Sequence, residues 1–157
     1  MTSTSEKCRI ATSSDSDEVA NLLDRFQAEF DEYTPGAAVL GPRIRKHIAE
    51  ALSVFVLAGP GHVGVAQLRF RDYLHTGTPM CLLEELYVVP DRRGEGHGRL
   101  LMNTALTLAR ERGASTMELG TAVNDTAARG LYESLGFTNL EKAGRPETQM
   151  LYYERDL

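Results

Sequence analysis

A glycine-rich segment in the middle of the chain carries its clearest chemical signal. Residues 92–99 are Arg-Arg-Gly-Glu-Gly-His-Gly-Arg, with glycine at every second position from 94 to 98. Glycine adopts positive φ without strain, and it lets a ligand approach the backbone because it has no Cβ. An apolar run at 82–89 precedes the segment, and an amphipathic stretch at 100–112 follows it. This order predicts a strand, a glycine turn and a helix whose first N–H groups can bind a pyrophosphate.

The spacing of this turn excludes two common phosphate-binding loops. A Walker-type loop needs Gly-Lys followed by Ser or Thr, whereas Gly98 is followed by Arg99 and Leu100. The dinucleotide-binding pattern is Gly-x-Gly-x-x-Gly after an early strand. Here the pattern is Gly-x-Gly-x-Gly after a mid-chain strand, although Glu118 stands where that motif would place its acidic residue. Two interpretations remain: a pyrophosphate-binding turn of another type, and a glycine turn without a ligand.

Two segments match a known pair of motifs, in the same order and at the same distance. The first carries Arg93, Gly96 and Gly98 at the positions of a Q/R-x-x-G-x-G/A motif. The second, residues 128–137, is Ala-Arg-Gly-Leu-Tyr-Glu-Ser-Leu-Gly-Phe and is similar to an A-x-x-L-Y-E-x-L-G-F motif. Both motifs are those of the GNAT N-acetyltransferase superfamily, which the chain resembles over about residues 82–138.

The resemblance implies that acetyl-coenzyme A (acetyl-CoA) is the co-substrate and that the glycine turn holds its pyrophosphate. In the family, the preceding strand splays from its neighbour and leaves main-chain N–H groups for the thioester oxygen and the pantetheine amides. Val88 and Val89 occupy those positions. The residues expected to form the turn around the pyrophosphate are Arg93, Gly94, Glu95, Gly96, His97, Gly98 and Arg99.

One position departs from the family pattern. The family often has an asparagine seven residues before the tyrosine of the second motif, with its side chain toward the pantetheine arm. In this chain Asp125 occupies that position, and Asn124 stands one residue earlier. Either residue can contact the cofactor, and either can cap the helix that carries Tyr132. The two interpretations are compatible.

The reaction implied by the resemblance is direct transfer of the acetyl group to a primary amine. The amine has a pKa of ~10.4, so a general base must remove its proton. Glu84 and Glu85 lie on the strand before the turn, and strand alternation predicts that they point to opposite faces. The family pattern favours Glu84 as the base over Glu85. It assigns Tyr132 as the acid that protonates the departing thiolate. The structural alternatives are ion pairing or solvation for the glutamates and aromatic packing for Tyr132.

Composition and charge exclude several functional classes. A chain of 157 residues predicts a single domain over 1–157. The net charge of −5 argues against nucleic-acid binding. No apolar run approaches the ~20 residues of a membrane span, and residues 1–7 lack the apolar core of a signal peptide. Cys8 and Cys81 suggest no disulfide framework, and no zinc spacing is present. We expect a cytoplasmic protein without a metal.

Apolar periodicity and turn residues predict the elements around these motifs. The strands first form a meander and then alternate with helices, which predicts an α/β, single-domain acetyltransferase fold. We expect a mixed central sheet of about six to seven strands, flanked on both faces by about four helices, with the strand before the glycine turn deepest in the core. Strands are predicted at 8–11, 53–58, 63–73, 81–89, 117–119 and 149–154, and helices at 15–32, 42–51, 99–112 and 125–135.

The sequence leaves the acceptor open. The leading interpretation is an enzyme that acetylates a small-molecule primary amine. The alternatives are an enzyme that acts on a protein N-terminus or lysine, and a non-catalytic module that senses acetyl-CoA. The acceptor site is expected to draw on residues 30–42, the loop at 71–80 and a C-terminal hairpin. Pairing of C-terminal strands into a homodimer is compatible with this fold.

Overall fold

The computed structural model describes residues 8–139 and 153–157. Over this range every predicted helix is present, and so is every predicted strand that falls within it. The strands are β1 Cys8–Ile10, β2 Val54–Ala58, β3 Gly64–Tyr73, β4 Thr78–Val88 and β5 Thr116–Leu119. The helices are α1 Ser16–Glu29, α2 Ala37–Ala49, α3 His97–Glu111 and α4 Thr126–Ser134.

The chain divides into two compact units. The first ends at Gly120 and contains the whole sheet with α1, α2 and α3; the second begins at Thr121 and contains α4. The expectation of one domain over 1–157 stays a prediction. The predicted strand at 149–154 lies mostly outside the described residues, and residues 153–154 are not in a strand.

The five described strands form one mixed sheet in the order β1-β2-β3-β4-β5. The first four strands pair antiparallel with their neighbours, as consecutive strands of a meander do. β5 pairs parallel to β4, because α3 crosses over between them. The mixed α/β sheet is as predicted, with five strands in the described residues rather than six to seven.

Helices cover both faces of the sheet. On one face, Phe55 and Leu57 of β2 pack in a cluster with Val19 and Leu23 of α1 and Ile44 of α2. Alternation turns the other residues of β2 to the opposite face, which α3 covers. All five residues of β2 are therefore buried.

The strand before the glycine turn is not the deepest in the core, so that expectation is wrong. β4 is only partly buried and exposes Glu84, whereas β2 has no exposed residue. β2 consists entirely of apolar residues and has a strand on each side. β4 carries two adjacent carboxylates, which water stabilises, and burial of both would be costly.

α2 begins five residues before its predicted start, and Pro42 lies inside it. Gly36, with φ of +91°, turns the chain into the helix. Gly41 lies close against α1: a Cβ there would be 2.7 Å from Oδ1 of Asp17. The close approach of the two helices extends α2 beyond what the proline alone suggests, because tertiary packing outweighs local propensity.

Candidate active site

The glycine turn leads from the end of β4 into α3. A short 3₁₀ turn at Pro90–Arg92 is followed by Arg93 in extended conformation. Gly94 and Gly96 then adopt φ of +80° and +87°, which other residues rarely do. In the described chain, no atom lies within 4 Å of the position that a Cβ would take at either glycine. The turn therefore has open space beside its backbone.

The first N–H groups of α3 face this turn. The first backbone bond of the helix runs from Leu100 N to Gly96 O, at 3.0 Å. The N–H groups of His97 and Gly98 precede that bond and have no acceptor within the helix. Among the described residues no side chain caps this helix start. Unpaired N–H groups at the positive end of a helix dipole can bind a phosphate or pyrophosphate.

The side chain of Arg93 fastens the turn to the rest of the first unit. Its Nε donates to the carbonyl oxygen of Val88 at 2.9 Å, and a terminal nitrogen donates to Glu29 of α1 at 2.6 Å. The guanidinium also lies over the ring of Tyr87, 5.7 Å from its centroid. These contacts hold the turn in place.

Glu95 links the side chains around the turn. Its Oε2 accepts a hydrogen bond from Nε of Arg92 at 2.8 Å and lies 3.1 Å from Nε2 of His97. The hydrogen bond from Arg92 lowers the pKa of the Glu95 carboxyl. The His97 ring packs beside Gly59, where a Cβ would lie 3.6 Å from Cε1. Arg99 follows as the third residue of α3.

A β-bulge in β4 places Glu84 and Glu85 on the same face of the sheet. Gln67 of β3 pairs with Glu85, but the next residue of β3, Leu68, pairs with Leu83. Glu84 is therefore an extra residue with no partner in the ladder. The prediction that alternation turns the two carboxylates to opposite faces is wrong, because the bulge interrupts the period of two. Glu85 lies on the face that α1 and α2 cover, and Glu84 pairs with Arg69 on the same side.

The two carboxylates differ in their surroundings. Glu84 is exposed and lies 3.3 Å from NH1 of Arg69. Glu85 is partly buried, and this burial raises the pKa of its carboxyl to about 7, with a further contribution from the negative charge of Glu84. A carboxyl with a pKa near neutrality can accept a proton from an ammonium group at physiological pH. The Glu85 carboxyl has a pKa in this range.

β4 and β5 separate just before the turn. β5 pairs with β4 only from Met80 to Leu83. Val89 N–H donates to Val63 O at 2.9 Å, so its expected free N–H group is absent. Because N–H groups alternate sides along a strand, the N–H of Val88 points toward the edge that β5 has left. The use of the Val88 N–H by a thioester or pantetheine group stays a prediction, and so does a cofactor contact by Val89.

The second unit presents Tyr132 on α4. The side chain of Asp125 accepts a hydrogen bond from Ala128 N at 3.1 Å, which confirms that this residue caps the helix. The main-chain oxygen of Asn124 accepts a bond from Thr126 N. Tyr132 is buried and packs against Phe137, with ring centroids 6.0 Å apart. Burial, followed by the charge of Asp125, raises the pKa of the Tyr132 hydroxyl to about 12, so it remains a proton donor near neutral pH.

Known proteins are similar to this chain in sequence and in fold. The family model described as "Acetyltransferase (GNAT) family" matches residues 17–137. The chain belongs to the GNAT family. The crystal structure of a candidate acetyltransferase from Arthrobacter sp. FB24 is similar at a TM-score of 0.90 and 39% identity, over 100% of this chain and 99% of that one.

Two curated GNAT relatives match shorter parts of the chain. An uncharacterised N-acetyltransferase of Methanocaldococcus jannaschii is 39% identical over 59 residues, which are 38% of this chain and 26% of that protein. Aminoglycoside N(6')-acetyltransferase type 1 of Stenotrophomonas maltophilia is 31% identical over 98 residues, which are 60% of this chain and 64% of that enzyme. The chain thus spans less than two thirds of either relative. GNAT enzymes use acetyl-CoA, and membership supports an acetyl-CoA-dependent N-acetyltransferase.

Both cysteine thiols of the chain have raised pKa values, which lowers the fraction present as the nucleophilic thiolate. Burial raises the pKa of the Cys81 thiol to about 11 and also raises the pKa of Cys8.

Within residues 8–139 and 153–157, no three His, Cys, Asp or Glu side chains are grouped to hold a metal ion. No helix in the same range has the length and apolar character needed to cross a membrane.

The sequence did not predict a set of three hydrogen-bonded side chains near Glu85. Oγ of the buried Ser53 accepts from Nε2 of Gln67 at 3.0 Å and lies 2.9 Å from Nδ1 of His47. Gln67 in turn stands opposite Glu85 in the sheet. The only sequence signal is an amide side chain inside the apolar run of β3. Its partners come from α2 and from the residue before β2, and local patterns do not connect them.

Replacement of Glu85 by glutamine should reveal its raised pKa as a change in stability. Between the pKa of an unfolded glutamate, ~4.3, and the folded value of about 7, the folded state retains a proton that the unfolded state loses. Wild-type stability should therefore fall relative to Glu85→Gln as pH rises through this window, by about 1–2 kcal/mol, reduced by the partial exposure of the carboxyl. Urea unfolding of both proteins at pH 4 and pH 8 measures the difference. A difference that does not change with pH would contradict the raised pKa.

Proposed function

We propose that this protein transfers the acetyl group of acetyl-CoA directly to a primary amine of a small molecule. The observation that carries the proposal is that one continuous segment contains three of the groups that this reaction needs. β4 provides a carboxyl with a pKa of about 7 at Glu85 and a main-chain donor at Val88, and it then enters the glycine turn. A base, a donor for the thioester and a phosphate-binding helix start thus follow one another along the chain.

The cofactor would be held mainly by main-chain groups. The N–H groups of His97 and Gly98 suit the pyrophosphate, and Gly94 and Gly96 leave room for it. Glu95, Arg93 and Arg99 would shape this turn, while Asn124 or Asp125 would contact the pantetheine arm. The assignments of Arg99, Asn124 and Asp125 come from the resemblance.

The reaction begins with proton loss from the acceptor ammonium, for which Glu85 is the better candidate base. Its carboxyl is half ionised near pH 7, whereas Glu84 is engaged with Arg69. The neutral nitrogen then attacks the thioester carbon, and the developing oxyanion is stabilised by a main-chain donor such as Val88 N–H. The carbon–sulfur bond breaks, and we assign Tyr132 as the acid that protonates the thiolate, as the family motif implies.

A small-molecule acceptor is supported by one relative in particular. The Stenotrophomonas maltophilia protein is by its name an aminoglycoside acetyltransferase, and it is 31% identical over the matched residues. A protein acceptor and an acetyl-CoA sensor remain the alternatives. A sensor would bind acetyl-CoA without releasing free thiol in the presence of any amine. A cytoplasmic location and a homodimer stay predictions.

The pH dependence of acetyl transfer tests the base. We expect kcat/KM of the wild type to rise from pH 6 to pH 8, because Glu85 loses its proton in this range. With Glu85 as the base this rise levels off above about pH 7. Glu85→Gln should lower kcat/KM by about 10²–10³-fold and remove the levelling off, because the rate then follows the fraction of neutral amine, which keeps rising to pH 8. Glu84→Gln is the matched control: it should keep the levelling off and move it to lower pH, because the Glu84 charge raises the pKa of Glu85. Disappearance of the levelling off in Glu84→Gln alone would assign the base to Glu84.

Replacement of Tyr132 by phenylalanine tests the acid. The ring and its packing are retained, so the Kd of CoA should not change, while kcat should fall by about 10²-fold because the thiolate loses its proton donor. Thiol release and calorimetry measure the two quantities. Phe137→Leu is the packing control, since it alters the ring contact and keeps the hydroxyl. Unchanged kcat in Tyr132→Phe, or an equal loss in Phe137→Leu, would remove the acid assignment.

A further inference from the structure

A cavity of about 170 Å³ lies in the first unit, on the face of the sheet that α1 and α2 cover. Most of its wall is apolar and comes from Leu23 of α1, Leu40 and Ile44 of α2, and Phe55 of β2. Such a wall favours an aliphatic group, because contact with it removes apolar surface from water.

Three polar side chains complete the wall: Arg43, His47 and Gln67. Ser53 holds two of them in place, since its Oγ bonds to both Gln67 and His47. Their orientations are therefore fixed before any ligand binds, which reduces the entropy cost of binding.

One residue of the cavity wall, Gln67, is the ladder partner of the proposed base. Gln67 stands directly opposite Glu85 in the β3–β4 ladder, and directly opposite residues share a face with Cβ atoms about 4.5–5.5 Å apart. An amine at this side of the cavity would have a carboxyl with a pKa of about 7 within reach.

Arg43 adds a positive charge to the wall of the cavity. It lies one helical turn before His47 on α2, is exposed, and makes no hydrogen bond or ion pair with the described residues. Arg45, two positions later, differs: it is 3.8 Å from Asp17. A guanidinium that has no partner among the described residues can bind a carboxylate through two parallel hydrogen bonds.

We infer that this cavity is the acceptor site and that the acceptor is an amino acid with an aliphatic side chain. The inference rests on the proposed function and specifies its substrate class. The α-amine would lie toward Glu85, the carboxylate at Arg43 and the aliphatic chain against Leu23 and Phe55. A cavity of about 170 Å³ is small beside the ~300–1,000 Å³ of typical ligand sites. Polycations would place a further positive charge near Arg43, which disfavours them.

The reaction balances with these groups alone. The ammonium gives one proton to Glu85, and the nitrogen forms a bond to the acetyl carbon. That nitrogen loses a second proton to solvent as the amide forms. The carbon–sulfur bond breaks, and the thiolate takes up one proton. The products are the N-acetyl amino acid and free CoA.

The test compares leucine with isoamylamine, which lacks only the carboxylate, in a thiol-release assay with acetyl-CoA; spermidine and kanamycin serve as polycations. Wild-type kcat/KM should be highest for leucine. In Arg43→Gln the ratio of leucine to isoamylamine should fall by about 10–100-fold, the value of one charge-assisted pair. Arg45→Gln, the matched control on the same helix, should leave the ratio unchanged.

An unchanged ratio in Arg43→Gln, or better turnover of isoamylamine, spermidine or kanamycin in the wild type, would overturn the substrate class and leave the acetyltransferase activity standing. Absence of thiol release with leucine would also overturn it. Failure of the proposed function is distinguished by calorimetry on the same protein: if acetyl-CoA does not bind, the acetyltransferase proposal falls with it.

Discussion

Peptide N–H groups without intrahelical acceptors are the constraint on which the site depends. α3 begins immediately after Gly96, so the N–H groups of His97 and Gly98 cannot bond within the helix. A buried helix end would need a side-chain cap, and here the described residues supply none. The unsatisfied groups are instead held at an open turn. Contacts of Arg93 with Glu29 and Val88 fix that turn to the sheet and to α1, so its geometry exists without a ligand.

The bulge in β4 provides the second half of the chemistry. One extra residue at Glu84 brings two carboxylates to the same face, and their repulsion adds to the burial of Glu85. The resulting pKa of about 7 is close to that needed by a base at neutral pH. The pairing of the same strand with β5 then ends at Leu83, so the N–H of Val88 has no partner in β5. The bulge at Glu84 and the end of the β4–β5 pairing each remove hydrogen bonds from the sheet. Each also places a group that the proposed reaction would use.

Much of the fold follows from local patterns. Apolar periodicity and the glycine positions identify α1, α3 and α4 and the strands of the meander, because these signals reside within single segments. The start of α2 does not follow, since it depends on the packing of Gly41 against another helix. The motif around Gly96 likewise locates the turn. The conformation of the turn follows from positive φ at Gly94 and Gly96. The sequence shows that these positions can adopt positive φ, and the structure shows that they do.

The features that could not be predicted arise from pairing between distant segments. The bulge at Glu84 depends on the register of β3 against β4, so alternation along one strand gave the wrong face. The bond from Val89 to Val63 has the same origin. The cavity needs α1, α2 and two strands together, and the single signal for it in the sequence is the polar residue Gln67 among apolar neighbours.

Amide chemical shifts test the central claim most directly. Titration of the ¹⁵N-labelled protein with CoA, followed by heteronuclear NMR, reports which main-chain N–H groups meet the pyrophosphate. We predict that the largest shift changes fall on residues 94–98, with a further change at Val88. Saturable binding that leaves these amides unchanged, or the absence of any binding, would contradict the account.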